Sequence, residues 1–356
     1  MKRPFAIFGD APGTVALALS VGAIGGVLFT YLSAPLPWML GAMCATTVAA
    51  ISGATVRIPS GLRWVMLSVL GIMLGGAFTP DVLGRSSQWI GSLATLFAFV
   101  VFVAGSVGYS LRRFAKFDAT TAYFSASPGG LSEMVAVGSA MGGDERTISL
   151  MHAVRLLLTV LAVPFWFRLF QGYEPSTQGS IGNMDWAISL GDAIVLGLCA
   201  IAGYWAAKRA RIPAPALTGP LVLSALVHLG GLTAASPPGF LTALAQVVIG
   251  ASIGCRFAGI AVREMLGTML TGALSTLFML VLAVVLALTL EATSGLPFAA
   301  LLLAFTPGGL AEMTLISLSL GIDAAFVSTH QVVRIFFIVA LFPFAFRFLV
   351  GPPSQR

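Results

Sequence analysis

Charge is what this chain has least of. Only 9% of its 356 residues are Asp, Glu, Lys or Arg, where a soluble globular domain carries roughly 25%. With 58% hydrophobic residues and a mean hydropathy of +0.97, no soluble core absorbs the apolar surface. Cysteine is scarce too: Cys44, Cys199 and Cys255 lie far apart in apolar runs, without CxxC or Cys/His spacing. That excludes a disulfide framework and a cysteine-based metal site. No Walker loop, GxSxG, HExxH or GxGxxG in strand–helix context is present, so an enzymatic role lacks a catalytic set and no cofactor or metal is expected. The basic residues, 19 Lys+Arg against 13 Asp+Glu, sit in short loops rather than on one face. They read as topology signals, and no nucleic-acid partner is expected.

What the chain does have is long apolar runs. At about 20 apolar residues per crossing, it has room for roughly ten to twelve membrane segments. Hydropathy and helix breakers place them at about 14–33, 37–55, 62–79, 88–111, 119–141 and 147–170, and again at about 187–207, 214–231, 239–255, 264–290, 297–320 and 324–349. Met1-Lys2-Arg3 before an apolar run resembles a signal peptide, but the run is long and has a mid-chain counterpart, so it reads as the first membrane helix. The expected class is an all-α polytopic membrane protein, with a first repeat over 1–170, a polar connecting loop over 171–186 and a second repeat over 187–356.

The repeat is the most specific signal. Ser127-Pro128-Gly129-Gly130-Leu131-Ser132-Glu133-Met134 is matched by Thr306-Pro307-Gly308-Gly309-Leu310-Ala311-Glu312-Met313, at an offset of 307 − 128 = 179. Without a gap the same offset pairs Asp144 with Asp323, Arg155 with Arg334, Pro164 with Pro343 and Arg168 with Arg347. Over 128–168, 16 of 41 positions are identical, against roughly 4 from shared apolar bias. Upstream, Gly71, Gly75 and Phe78 pair with Gly250, Gly254 and Phe257, and Pro35, Pro37 and Gly41 with Pro213, Pro215 and Gly219. These glycines and prolines read as helix starts and close helix contacts.

Basic loops tend to remain cytoplasmic. In the first half Lys2/Arg3, Arg57/Arg63 and Arg112/Arg113/Lys116 fall at the N-terminus and after the second and fourth segments. In the second half Lys208/Arg209/Arg211 and Arg256/Arg263 follow the first and third. The phase has shifted by one crossing, as inverted repeats require, so each half has an odd number of crossings. With six segments per half, one does not span, and the Pro-Gly-Gly segment is the candidate for a broken or re-entrant element. Five crossings plus that element put both termini in the cytoplasm and the chain in a bacterial inner membrane.

Pro-Gly-Gly frees backbone groups in mid-segment, and in hydrocarbon these are tolerated only where they line a cavity or are buried in protein. The candidate substrate- or ion-binding residues are therefore Ser127, Pro128, Gly129, Gly130, Glu133 and Arg155, with Thr306, Pro307, Gly308, Gly309, Glu312 and Arg334. The glutamates stand in apolar surroundings and need partners. Arg155 and Arg334, each 22 residues downstream of its glutamate, are the candidates for buried ion pairs. His152 and His330 lie within a turn of the arginines without being repeat-equivalent, His152 aligning with Gln331 and His330 with Met151. They are candidates for proton titration, with a satisfied core histidine as the alternative. Asp144 and Asp323 read as helix N-caps.

The doubled Pro-Gly-Gly-Leu-x-Glu-Met with its downstream Arg, and the doubled Pro-x-Pro-x-x-x-Gly, resemble the AbrB-type duplicated membrane proteins over about residues 14–350. Members carry the labels "regulator of gene expression" and "ammonia monooxygenase", and the family is grouped with cation:proton antiporters and anion transporters. The resemblance implies inverted repeats with crossed, broken helices. The oxygenase label finds no cluster of copper or iron ligands here. The paired aspartates and sodium ligands of antiporters are also missing. Two expectations follow. One is a secondary transporter of a small solute, with an anion as one candidate class, working by alternating access between the two breaks. The other is a membrane sensor that regulates gene expression through a partner. The expected partners are a small-molecule or ion substrate and the lipid bilayer, with a homodimer as a further candidate.

Overall fold

The computed structural model describes residues 12–172, 188–260 and 262–349. The predicted connecting loop falls mostly at 173–187, and both termini lie outside the described residues. Among those residues the chain is helical throughout: α1 (Pro12–Tyr31), α2 (Pro37–Ile51), α3 (Ser60–Gly75), α4 (Pro80–Gly84), α5 (Ile90–Arg113), α6 (Ala119–Ala126), α7 (Leu131–Ala140), α8 (Glu145–Phe170), α9 (Leu190–Arg209), α10 (Pro215–Leu229), α11 (Gly239–Gly254), α12 (Val262–Ser294), α13 (Phe298–Phe305), α14 (Leu310–Ser319) and α15 (Ala324–Leu349). Seven helical stretches are long and apolar enough to cross a membrane, and the protein is a multi-pass membrane protein. The other apolar helices are shorter: α2, α3 and α10 have 15 or 16 residues, about 23 Å at 1.5 Å per residue.

Local chemistry fixes the ends of these helices. Pro37 and Pro215 occupy the first turns of α2 and α10, where a missing N–H costs nothing. Before them Leu36 and Ala214 hold left-handed backbone, φ 45° and 50°, a strained conformation for a side-chain-bearing residue. The strain recurs at matched positions of the two repeats. Gly142 and Gly321, at φ 90° and 68°, stop α7 and α14 in the same matched way.

The chain forms two compact units, and each draws on both sequence halves. The first comprises Met1–Arg85, Leu161–Ala261 and Thr314–Ala325. Within it α1 lies on α2, and α9 on α10, at glycine contacts so close that a Cβ on Gly41 would fall on the Gly25 carbonyl, and one on Gly219 on the Gly203 carbonyl. Gly71 of α3 meets the Leu217 carbonyl of α10, and Gly250 of α11 meets the Met39 carbonyl of α2. The third helix of each half therefore packs on the second helix of the other half.

The second unit comprises Ser86–Val160, Val262–Met313 and Phe326–Arg356. It holds every candidate site residue. In it Phe99 of α5 meets Phe305 of α13 edge-on, with ring centroids 5.6 Å apart, and Phe97 meets Phe337 of α15 at 4.5 Å.

Candidate functional site

The site begins with two interrupted helices. Asp118 caps α6 by accepting from the Thr120 and Thr121 amides at 3.0 and 2.9 Å. After the eight residues of α6, Pro128 removes a donor and pushes Ser127 into extended backbone, φ −64°, ψ 126°, so the helix ends. Gly130, also extended, becomes the N-cap of α7. In the second repeat α13 ends before Thr306, φ −57°, ψ 133°, and α14 opens at Leu310. Each interruption leaves carbonyl oxygens with no partner in their own helix.

The arginines supply those partners. From α8, Arg155 donates from Nη1 to the Ser127 carbonyl at 2.6 Å and from Nη2 to the Gly129 carbonyl at 2.8 Å. From α15, Arg334 donates to the Thr306 and Gly308 carbonyls, both at 2.6 Å. The two arginines thus grip the breaks through main-chain oxygen, partners that the ion pairing expected from the sequence did not include. A guanidinium against the negative end of a helix is favourable, and its fork matches two carbonyls at once.

The glutamates turn the other way. A Cβ on Gly130 would collide with Oε2 of Glu133, and one on Gly309 with Oε2 of Glu312. Each carboxylate is thus folded back over the glycine that starts its own helix, where it faces the positive end of α7 or α14. The two are not equally enclosed: Glu312 is 5% exposed and Glu133 half-buried.

The histidines separate by role. His152 and Gln331 occupy equivalent places, His152 Nε2 lying 3.0 Å from the Phe124 carbonyl and Gln331 Nε2 donating at 2.8 Å to the Leu303 carbonyl. Oε1 of Gln331 also accepts from Nη2 of Arg334. His330 sits on a different face of its helix, Nδ1 2.8 Å from the Phe326 carbonyl and Nε2 2.9 Å from the Ser92 hydroxyl. Both histidines are fully buried.

Around the breaks the fold concentrates buried polar atoms that no protein group satisfies: Nε of Arg155 and Arg334, and the hydroxyls of Ser125, Ser127 and Thr159. Arg155 and Arg334 are 3% and 1% exposed. Ile338 of α15 lies against Gly129, 2.8 Å from where a Cβ would stand, which brings the second repeat onto the first break. Ser125 and Thr159 align with Ala304 and Ile338, so the extra hydroxyls belong to the first repeat. Ser125, Thr159, Gln331 and Ser92 escaped the sequence reading. Only Gln331, one turn before Arg334 and aligned with a candidate histidine, left a signal there.

A family model described as "Transition state regulatory protein AbrB" matches residues 38–350. The chain belongs to the AbrB family. Among its relatives, "Uncharacterized protein YhjN" of Bacillus subtilis (strain 168) is 29% identical over 354 residues, 93% of this chain and 92% of that protein. "Putative regulator AbrB" of Escherichia coli (strain K12) is 26% identical over 345 residues, 96% of each chain. No solved structure gives a significant match.

Proposed function

We propose that this AbrB-family protein is a secondary transporter that carries a small anionic solute by alternating access, bound where the two Pro-Gly-Gly breaks meet Arg155 and Arg334. One observation carries the reading: two guanidinium groups buried to within 3% of full enclosure each keep an Nε–H with no protein acceptor, beside unpartnered hydroxyls. Buried charge and buried donors are expensive unless something completes them. Planar N–H donors with hydroxyls beside them suit a carboxylate or a similar oxyanion.

The halves are read as inverted, each with five crossings and one broken element. The shifted phase of the basic loops supports this, as does the reciprocal packing of α3 on α10 and α11 on α2. In this arrangement the first break is approached from the cytoplasm and the second from the opposite side. Interrupted helices at a repeat interface are where transporters of this kind bind their cargo.

The test is a thermal-shift screen of the detergent-purified protein over small organic acids, amino acids and cations. An organic anion is expected to raise the Tm, and Arg155→Gln or Arg334→Gln to abolish that rise while the protein stays in the membrane. Stabilisation by cations alone, or by anions equally in wild type and variants, rejects the assignment. The names of the family and of the Escherichia coli relative favour a second reading, a membrane regulator acting through a partner. That reading predicts altered gene expression on deletion with no change in solute flux.

A further inference from the structure

Away from the breaks, α5 and α12 of the second unit leave a groove of about 420 Å³ near the C-terminal end of α5. Its walls are mixed in an ordered way: Leu111, Phe114, Leu274 and Phe278 are apolar, while Ser110 and Ser275 add hydroxyls. Volume alone puts it in the range of small-ligand sites. The groove is open on a face that hydrocarbon would cover, since Phe114, Leu274 and Phe278 are 75%, 61% and 43% exposed. In the chain, the lining residues Ser110, Leu111, Phe114 and Ala115 alternate with the most basic stretch of the first half, Arg112, Arg113 and Lys116, all exposed. Lys116 takes left-handed backbone, φ 57°, where the chain turns away from α5. The neighbouring Asp118 is already engaged in capping α6. Three cations thus accompany one occupied carboxylate in the segment from Arg112 to Asp118, which continues the chain from the α5 wall of the groove.

We infer that this groove is a binding site for an anionic phospholipid, with acyl chain along Leu111, Phe114, Leu274 and Phe278 and phosphate at Arg112, Arg113 and Lys116. The charge at one end selects the occupant. An apolar groove alone accepts any lipid tail, whereas a polybasic rim at the cytoplasmic surface favours an anionic headgroup. The Lys/Arg placement that orients the chain puts the C-terminal end of α5 at that surface.

The test is native mass spectrometry of the full-length, detergent-purified protein with dioleoyl phosphatidylglycerol or dioleoyl phosphatidylcholine. Wild type is expected to retain phosphatidylglycerol several-fold more than phosphatidylcholine. The triple variant R112Q/R113Q/K116Q, altered only at exposed positions, is expected to lose that preference and fall to a ratio near one. Ala115→Trp, which fills the groove and spares the cations, is expected to lose retention of both lipids. Equal retention of the two lipids by wild type, or an unchanged preference in the triple variant, overturns the site. So does a dimer that Ala115→Trp dissociates, because a second copy would then occupy the groove.

Discussion

Arg155 and Arg334 each hold two carbonyl oxygens where a helix has been cut, and a lysine has no geometry for doing both. Arg155→Lys keeps the charge and loses the fork, so one break carbonyl goes unbonded. The cost of leaving such a group unsatisfied is about 1–3 kcal/mol, to be read as a lower Tm in a thermal melt. A lysine variant as stable as wild type would show that the fork contributes nothing. Gln331 gives the complementary experiment, because it bonds both the Leu303 carbonyl and Arg334. His152→Gln installs in the first repeat the residue that the second already uses at that place. We expect it to fold with a near-native Tm, and any activity step between pH 5 and 8 to disappear if His152 carries the proton. An unchanged pH profile would assign His152 to structure alone. The carboxylates differ in the same spirit: Glu133 is half-buried and Glu312 enclosed, which makes Glu133 the one within easier reach of water.

Between helices, the deciding quantity is how near two backbones come. Gly41 and Gly219 admit the neighbouring helix only because they lack a Cβ, whereas Gly105, midway along α5, has nothing within 4 Å of its place. Gly41→Ala should therefore destabilise by about 1–3 kcal/mol through overpacking. Gly105→Ala should be neutral or stabilising by up to about 1 kcal/mol, because alanine favours the helix. Equal melting temperatures for the two variants would contradict the close packing of α1 on α2. Two apolar runs of the sequence, at about 119–141 and 297–320, became four short helices. Pro128 and Pro307 cut α6 from α7 and α13 from α14, and propensity on either side has no means of bridging a missing donor.

At the scale of the whole molecule, the proposal turns on whether the repeats are inverted. Ala115 and Ser294 are equivalent, at 294 − 115 = 179, and inverted repeats put equivalent positions on opposite sides of the membrane. In a background lacking the three native cysteines, single cysteines at these two positions should be labelled by a membrane-impermeant thiol reagent from opposite faces. Labelling from the same face would make the halves parallel and remove the meeting of the two breaks from the proposal. The sequence by itself determined the membrane class, the duplication and the residue types at the breaks. Each of these follows from composition, spacing or the chemistry of proline and glycine, which act locally. Only the tertiary structure decided which groups those residues serve. Spacing predicted Glu133 with Arg155, but the folded chain sends the arginine to carbonyls freed by Pro128 and the glutamate to the amide end of its own helix. A hydrogen-bond partner 28 residues away is set by how helices cross, and no periodicity along one helix encodes that.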